Sequence, residues 1–190
     1  MPEYIVIIIC LYILAAVGML KGPCEAAGMS LFKGCYALLA AAALSIFQLH
    51  IGVEISINLG AAILMVLPAA LMAKGGSSSA GAGAVVLISL IAALLKRSGA
   101  LYGADSGLLL GLMAGMSAML LWNAPACAAC AAGGIPILAA VADSFISLIF
   151  TGYATIEIGH DTIAAQLIAL SISVGIIWIH DLAGSRVPTE

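Results

Sequence analysis

The chain has 190 residues, of which 64% are hydrophobic and 8% are charged, and its formal net charge is −3 at pH 7. Ordinary soluble domains carry about 25% charged residues, so this composition excludes a soluble globular domain. The few basic residues form no cluster, which excludes a nucleic-acid-binding protein. The apolar runs are long and continuous, so the sequence predicts one all-α domain, residues 1–190, a polytopic bundle of about six or seven transmembrane helices in the cell membrane.

The first half of the chain contains three predicted spans. The first covers residues 4–20 and lacks a basic leader, so we interpret it as a retained span and not as a signal peptide. The second covers 31–49. Residues 52–60 alternate polar and β-branched side chains and are predicted to be extended. They lead into a third span, 61–73, where Pro68 should break or kink the helix.

The second half opens with a flexible Gly/Ser-rich loop, predicted at residues 74–83. The apolar run that follows, 84–95, is short for a span, and it is either a tilted helix with snorkelling ends or a re-entrant segment. A fifth span is predicted at 106–122. The sixth, 124–150, should be broken or kinked near Pro136, and the seventh, 162–179, precedes a short polar tail at 181–190.

The topology depends on whether residues 84–95 cross the membrane. With seven full spans, Lys96 and Arg97 lie on one side, and four other basic residues lie on the other: Lys21, Lys33, Lys74 and Arg186. The positive-inside rule then places the larger group in the cytoplasm and the N-terminus outside. A re-entrant segment would move Lys96 and Arg97 to the cytoplasmic group.

A row of glycines recurs at every fourth residue: Gly103, Gly107, Gly111 and Gly115. On a helix this spacing gives a smooth face that another backbone can approach closely, so it predicts helix packing. The partner is another helix of the chain, a second copy in a homo-oligomer, or another membrane subunit. A lipid or substrate lying in the groove is the alternative.

Cys127 and Cys130 have the spacing of a redox dithiol, but small residues surround them, which favours packing. No cofactor and no metal site is predicted from these or from any other residues.

Two aspartates lie where lipid chains are expected. Asp143 follows Pro136 by about two helical turns, and a charge inside the bilayer costs about 2.5–3.5 kcal/mol even on the lenient insertion scale. In a structural role, a protonated Asp143 would bond to Asn58, Gln166 or a water. Asp161 opens the last span, where it would act as an N-cap or form a titratable pair with His160.

Such groups usually face a cavity, a partner or a substrate path. The candidate substrate or ion site therefore comprises four residues: Asn58, Asp143, His160 and Asp161.

An internal echo links the two halves of the chain. Residues 54–60 and 155–161 are both predicted to be extended, and each leads into a helix. Interrupted segments at matching positions of two halves are typical of transporter binding sites. Chance similarity is the alternative.

Three motifs resemble an uncharacterised prokaryotic membrane family, known as domain of unknown function sixteen-fourteen. They are Ile57 to Ile63 at the start of a helix, Val141-Ala142-Asp143 in a later helix, and Ala154 to Asp161 before the last helix. In this chain Ala61 replaces the family's second glycine, and Glu157 and His160 interrupt its glycine-rich stretch. The resemblance implies a membrane protein and brings no activity.

A looser similarity is to intramembrane aspartyl proteases, which place one Asp in a helix and a second at the start of the next. Asp143 and Asp161 are similar in placement and would be the catalytic pair. The chain departs from that pattern at Ile158, where the proteases have glycine, and no Pro-Ala-Leu segment follows.

Three functions remain open at this point: a small-solute or ion permease, a non-catalytic membrane scaffold or partner subunit, and an aspartyl intramembrane protease. The sequence leans toward the permease and toward a protein without enzymatic activity.

Overall fold

The computed structural model describes residues 3–26, 29–52, 54–66, 79–98, 106–121 and 125–184, which are mostly helical, as predicted. The helices are α1 Glu3–Ala16, α2 Lys21–Ala26, α3 Leu31–Leu44, α4 at 59–66, α5 Ser79–Arg97, α6 Ser106–Leu121, α7 Pro125–Thr151 and α8 His160–Gly184. The strands are β1 Gln48–Ile51, β2 Ile55–Asn58 and β3 Ile156–Ile158.

The three strands form one sheet in the order β1-β2-β3. β1 and β2 pair antiparallel, whereas β2 and β3 pair parallel, with Ile55 opposite Ile156 and Ile57 opposite Ile158. The extended conformation predicted within 52–60 and 155–161 is therefore confirmed in β2 and β3. The ladder also pairs the two stretches at the same offset at which their sequences align. Because α4 follows β2 and α8 follows β3 directly, both helices begin side by side.

Polar contacts fix the directions of the helices. Along α5 and α7, Ser89 lies beside Ile135 and Lys96 beside Asp143, so these two helices run parallel. Along α8, Gln166 reaches back to Gly133, so α7 and α8 run antiparallel. α6 runs parallel to α8, because Gly111 lies beside Ile168 and Gly115 beside Ile172, so the directions alternate from α5 to α8. We call the end of the bundle that holds the sheet and the first turn of α8 the sheet end.

α1 and α3 follow the same alternation. The ring of Tyr4 stacks on that of His160, which places the start of α1 at the sheet end. The last residues of α3 also lie there, since Asn58 bonds to the carbonyl of Ser45. Lys21 and Lys33, at the other ends of these helices, therefore lie at the opposite end of the bundle.

The core consists of two clusters of buried side chains. The first joins α1, α3, α4, α7 and α8 around Ile8, Leu64, Ile163 and Leu167. The second, between α6, α7 and α8, is built almost entirely from alanines around Ile135. Small side chains let these three helices approach closely, so the interface gains dispersion contacts along the backbones.

The glycine row of α6 faces α8 of the same chain. A Cβ placed on Gly111 would lie 2.7 Å from Cβ of Ile168, and one on Gly115 would lie 2.9 Å from the carbonyl oxygen of Ala169. Both distances are below normal contact, so these positions require glycine unless the helices separate. Gly103 lies outside the described residues.

Several predicted boundaries are wrong. Within the predicted loop 74–83, residues 79–83 belong to α5, and the remainder lies outside the described residues, as does Pro68. The second predicted span ends early, at Leu44, because residues 48–51 form β1. Residues 181–184 of the predicted tail belong to α8.

α7 is helical throughout Pro125–Thr151, so the helix is not broken near Pro136, and the kink stays a prediction. Proline removes one backbone donor, and the helix continues without the hydrogen bond to the carbonyl of Ala132.

Within the described part of the chain, two helical segments are long and apolar enough to cross a membrane, Cys127–Thr151 and His160–His180. Three shorter apolar helices accompany them, at Tyr4–Ala16, Leu31–Leu44 and Gly107–Leu121. These segments support an association with membranes. The total of six or seven spans stays a prediction.

We expect Gly111→Ala to destabilise the bundle by about 1–3 kcal/mol, because the added methyl group overpacks the interface with α8. Thermal unfolding of the purified chain in detergent measures this loss. Gly175→Ala is the matched control, since a Cβ there meets nothing within 4 Å and alanine favours the helix. Equal stability of Gly111→Ala and the unmodified chain would contradict this account of the interface.

Candidate functional site

A cavity of ≈ 370 Å³ lies at the sheet end, between α5, α6, α7, β3 and α8. Most of its apolar lining is alanine, and its polar lining consists of Lys96, Asp143, Ser144, Thr155, Glu157, His160, Asp161 and Thr162. Three carboxylates thus share the cavity with one lysine. Three of the four candidate site residues, Asp143, His160 and Asp161, line it together.

Helical spacing directs Asp143 into this cavity. Pro136, Ala139, Ala140 and Asp143 follow one another at intervals of three, one and three residues, which places them on one face of α7. The small side chains on this face leave the space that the cavity occupies. The opposite face carries larger apolar groups, of which Phe145 and Ile149 are exposed.

Two basic residues at the end of α5 are the partners of Asp143. Its carboxylate lies 3.6 Å from Nζ of Lys96 and 3.7 Å from Nη1 of Arg97. The guanidinium of Arg97 also lies 5.7 Å from the centre of the Phe150 ring. These ion pairs were not predicted from the sequence, although an acidic residue in an apolar helix and a basic pair ending another helix were the signal for them.

Asn58 has a structural role and does not line the cavity. Its side chain is buried, and its Nδ2 donates to the carbonyl oxygen of Ser45 at 2.8 Å. Its Oδ1 accepts from the backbone N–H of Gly60 at 2.9 Å. Because α4 begins at residue 59, Asn58 is the N-cap of that helix.

Gln166, the other partner proposed for Asp143, is also engaged elsewhere. It donates to the carbonyl oxygens of Ala61 and Gly133.

His160 and Asp161 form the first turn of α8. The helix begins at His160, so Asp161 lies inside the first turn, where its negative charge interacts favourably with the helix dipole. The His160 ring stacks on Tyr4 at a centroid distance of 5.2 Å and an interplanar angle of 7°. This contact ties α1 to the cavity end of α8.

Ser144 connects the two sides of the cavity. Its hydroxyl donates to the carbonyl oxygen of Ala140 in α7 and to that of Thr155, next to β3. This bond holds the backbone that carries Glu157 against α7. The point of contact is Ser144, the residue after Asp143. The arrangement offers three carboxylates and several hydroxyl and carbonyl oxygens to a ligand, which suits a cation.

Among the described residues, no group of three or more His, Cys, Asp and Glu side chains is placed to hold a metal ion. All five cysteines are free thiols. Burial, followed by the proximity of Cys35 and Glu25, raises the pKa of the Cys24 thiol. That thiol therefore stays protonated at neutral pH, which fits a small apolar residue between α2 and α3.

Searches of protein-family models, of curated proteins and of solved structures find no match to this chain. The resemblances to the family of unknown function and to the aspartyl proteases therefore rest on the short motifs alone and stay predictions.

We expect Asn58→Ala to lower stability by about 1–3 kcal/mol, because it removes the cap of α4 and leaves the buried carbonyl of Ser45 without this donor. Thermal unfolding in detergent measures the loss. Ser117→Ala is the control, because that hydroxyl bonds within its own helix, to the carbonyls of Met113 and Ala114. If Asn58→Ala is as stable as the unmodified chain but no longer binds a ligand, Asn58 has a ligand-binding role and not a structural one.

Proposed function

We propose that the chain is a multi-pass membrane protein, similar to a permease, that binds a small cation in the cavity at the sheet end. The observation that carries this proposal is the grouping of Asp143, Glu157 and Asp161 around one cavity in an otherwise apolar bundle. Ionisable groups inside membrane helices generally line substrate or ion paths.

The exterior of the bundle supports the membrane setting. Large apolar side chains are exposed on every long helix, and Ile149 and Leu120 are 80% and 78% exposed. Soluble monomers rarely expose continuous apolar surfaces of this extent. The alternating directions of α1, α3 and α5–α8 fit one crossing each. α5 is a continuous helix parallel to α7, which favours a full span over a re-entrant segment.

The distribution of charge favours one orientation. Lys21 and Lys33 lie at the end of the bundle opposite the cavity, and the seven-span topology adds Lys74 and Arg186 to the same side. At the sheet end, Lys96 and Arg97 are paired with Asp143. By the positive-inside rule, the lysine end faces the cytoplasm and the cavity opens on the outer side.

The ion pairs of Asp143 suggest how a cation enters. The Asp143 side chain is 31% exposed, and pairs of this kind contribute only about 0.2–1 kcal/mol. A solute cation with a better fit between Asp143 and Asp161 can therefore displace Lys96 from Asp143 at small cost. Lys96 is 55% exposed and has room to turn away.

The start of α8 gives a second point of support. α4 and α8 begin next to each other after paired strands, at matching positions of the two halves. In many transporters, interrupted segments in such positions form the binding site. The carboxylate of Asp161 and the hydroxyl of Thr162 belong to this helix start and line the cavity.

The aspartyl protease is the second candidate, because Asp143 and Asp161 line the same cavity. A protease dyad shares one proton between two carboxylates. Asp143 is instead paired with two basic side chains. A carboxylate that is already charged and paired in this way favours binding of a solute cation over a shared proton. The scaffold alternative gains no support from the glycine row, because α8 of the same chain covers Gly111 and Gly115.

The proposal is tested by uptake of radiolabelled sodium and guanidinium into liposomes that contain the purified chain. We expect Asp143→Asn to lower uptake about tenfold or more, because it removes one carboxylate and leaves the positive charges of Lys96 and Arg97 without their partner near the cavity. Adding Lys96→Gln should restore part of the uptake. Asp161→Asn should lower uptake without rescue by Lys96→Gln.

Glu25→Gln is the matched control, since Glu25 is an exposed carboxylate of α2 away from the cavity. Unchanged uptake in both cavity variants would refute the permease. Proteolysis of a membrane substrate that both variants abolish would establish the protease in its place.

A further inference from the structure

A buried oxygen without a hydrogen-bond partner lies one helical turn below the cavity. Gln166 is 0% exposed, and its Nε2 donates to the carbonyl oxygens of Gly133 at 2.9 Å and Ala61 at 3.3 Å. Its Oε1 is buried and accepts no hydrogen bond from the described residues. Buried acceptors are nearly always satisfied, so this oxygen indicates a bound ligand.

Pro136 leaves a second acceptor at the same level. Proline has no N–H, so it cannot bond to the carbonyl of Ala132, which an α-helix directs toward residue 136. Both residues are fully buried. Pro136 is also the residue lining the cavity that lies furthest along α7 from the sheet end. The Ala132 carbonyl therefore points toward the base of the cavity.

The geometry of α8 brings Gln166 to this place. Thr162 lines the cavity, and Gln166 follows it by one turn on the same face. Side chains of a helix lean toward its N-terminus, so the amide of Gln166 leans toward the cavity. Its bond to Gly133, the neighbour of Ala132, places the amide beside the second acceptor.

α4 contributes a third oxygen. The carbonyl oxygen of Leu64 lies 3.2 Å from where a Cβ on Gly133 would be, so the missing side chain lets α4 and α7 approach closely. This approach places the Leu64 carbonyl beside Gly133, which is the neighbour of Ala132 and a hydrogen-bond partner of Gln166.

We propose that a dehydrated monovalent cation, with sodium as its type, binds between α4, α7 and α8, coordinated by Oε1 of Gln166 and the carbonyl oxygens of Ala132 and Leu64. Hard cations take oxygen ligands, and backbone carbonyls freed from helices coordinate sodium in transporters. Because these ligands are neutral, a monovalent ion fits better than a divalent one. The carboxylates of the cavity above concentrate cations at its base. The site deepens the proposed function by naming the cation and a position beyond the cavity.

Thermal unfolding of the purified full chain tests the site, with sodium chloride replacing choline chloride at constant ionic strength. We expect a saturable rise of the midpoint with sodium, because an ion that binds the folded state stabilises it. Pro136→Ala returns an N–H to the Ala132 carbonyl. It should weaken the apparent sodium affinity about tenfold, as expected for one lost contact to a charge, while the midpoint in choline stays the same or rises.

Two further variants sharpen the result. Gln166→Met removes Oε1 at similar volume and should abolish the sodium response; if this variant does not fold, Pro136→Ala decides alone. Ser89→Ala is the control, because its buried hydroxyl also contacts α7, at the carbonyl oxygen of Ile135, and lies outside the proposed ligand set. It should keep the full response to sodium.

Equal midpoints in sodium and choline, or an unchanged sodium response in Pro136→Ala, overturn the site and leave a buried water as the partner of Gln166. Neither result affects the cavity proposal, which the uptake variants test. A sodium response that persists in Asp161→Asn while uptake is lost supports both proposals and separates them.

Discussion

The buried polar groups of an apolar bundle must find their hydrogen-bond partners inside the protein, and this constraint explains most of the polar contacts. Side chains of Asn58, Gln166, Ser89 and Ser144 all donate to backbone carbonyls of other helices or connecting segments. Each of these bonds joins two separate elements or segments of the fold. Where water is excluded, an unpaired amide or hydroxyl costs more than the bond itself contributes, so these residues determine how the helices are placed as well as how stable they are.

The same constraint concentrates ionisable groups at one end. The end of α5, the starts of α6 and α8, and the strands meet at the sheet end, where helix termini leave backbone groups free. Asp143 is the exception, since it lies well inside α7, and it is the acidic residue that two basic side chains accompany. The cavity exists because small residues of α5, α6 and α7 surround this charged region.

Hydropathy and local chemistry predict much of this fold. The helical class, the last two spans and the extended stretches before α4 and α8 follow from residue patterns, and the alignment of 54–60 with 155–161 anticipates the β2–β3 register. The pairing of Asp143 with Lys96 depends on α5 and α7 being parallel neighbours, which no local pattern encodes. Asn58 was predicted as a site residue because a side-chain amide that caps a helix and one that binds a ligand look the same in the sequence.

The parallel ladder between β2 and β3 has a mechanical consequence. Backbone hydrogen bonds join the strands that lead into α4 and α8, and Asn58 joins the start of α4 to the end of α3. The sheet end therefore links the three helices through fixed hydrogen bonds. Across the cavity, α5 is held to α7 at this level by side-chain charges, which exchange partners far more easily than a strand ladder does. The α5 side of the cavity mouth is therefore the side with the more easily exchanged contacts.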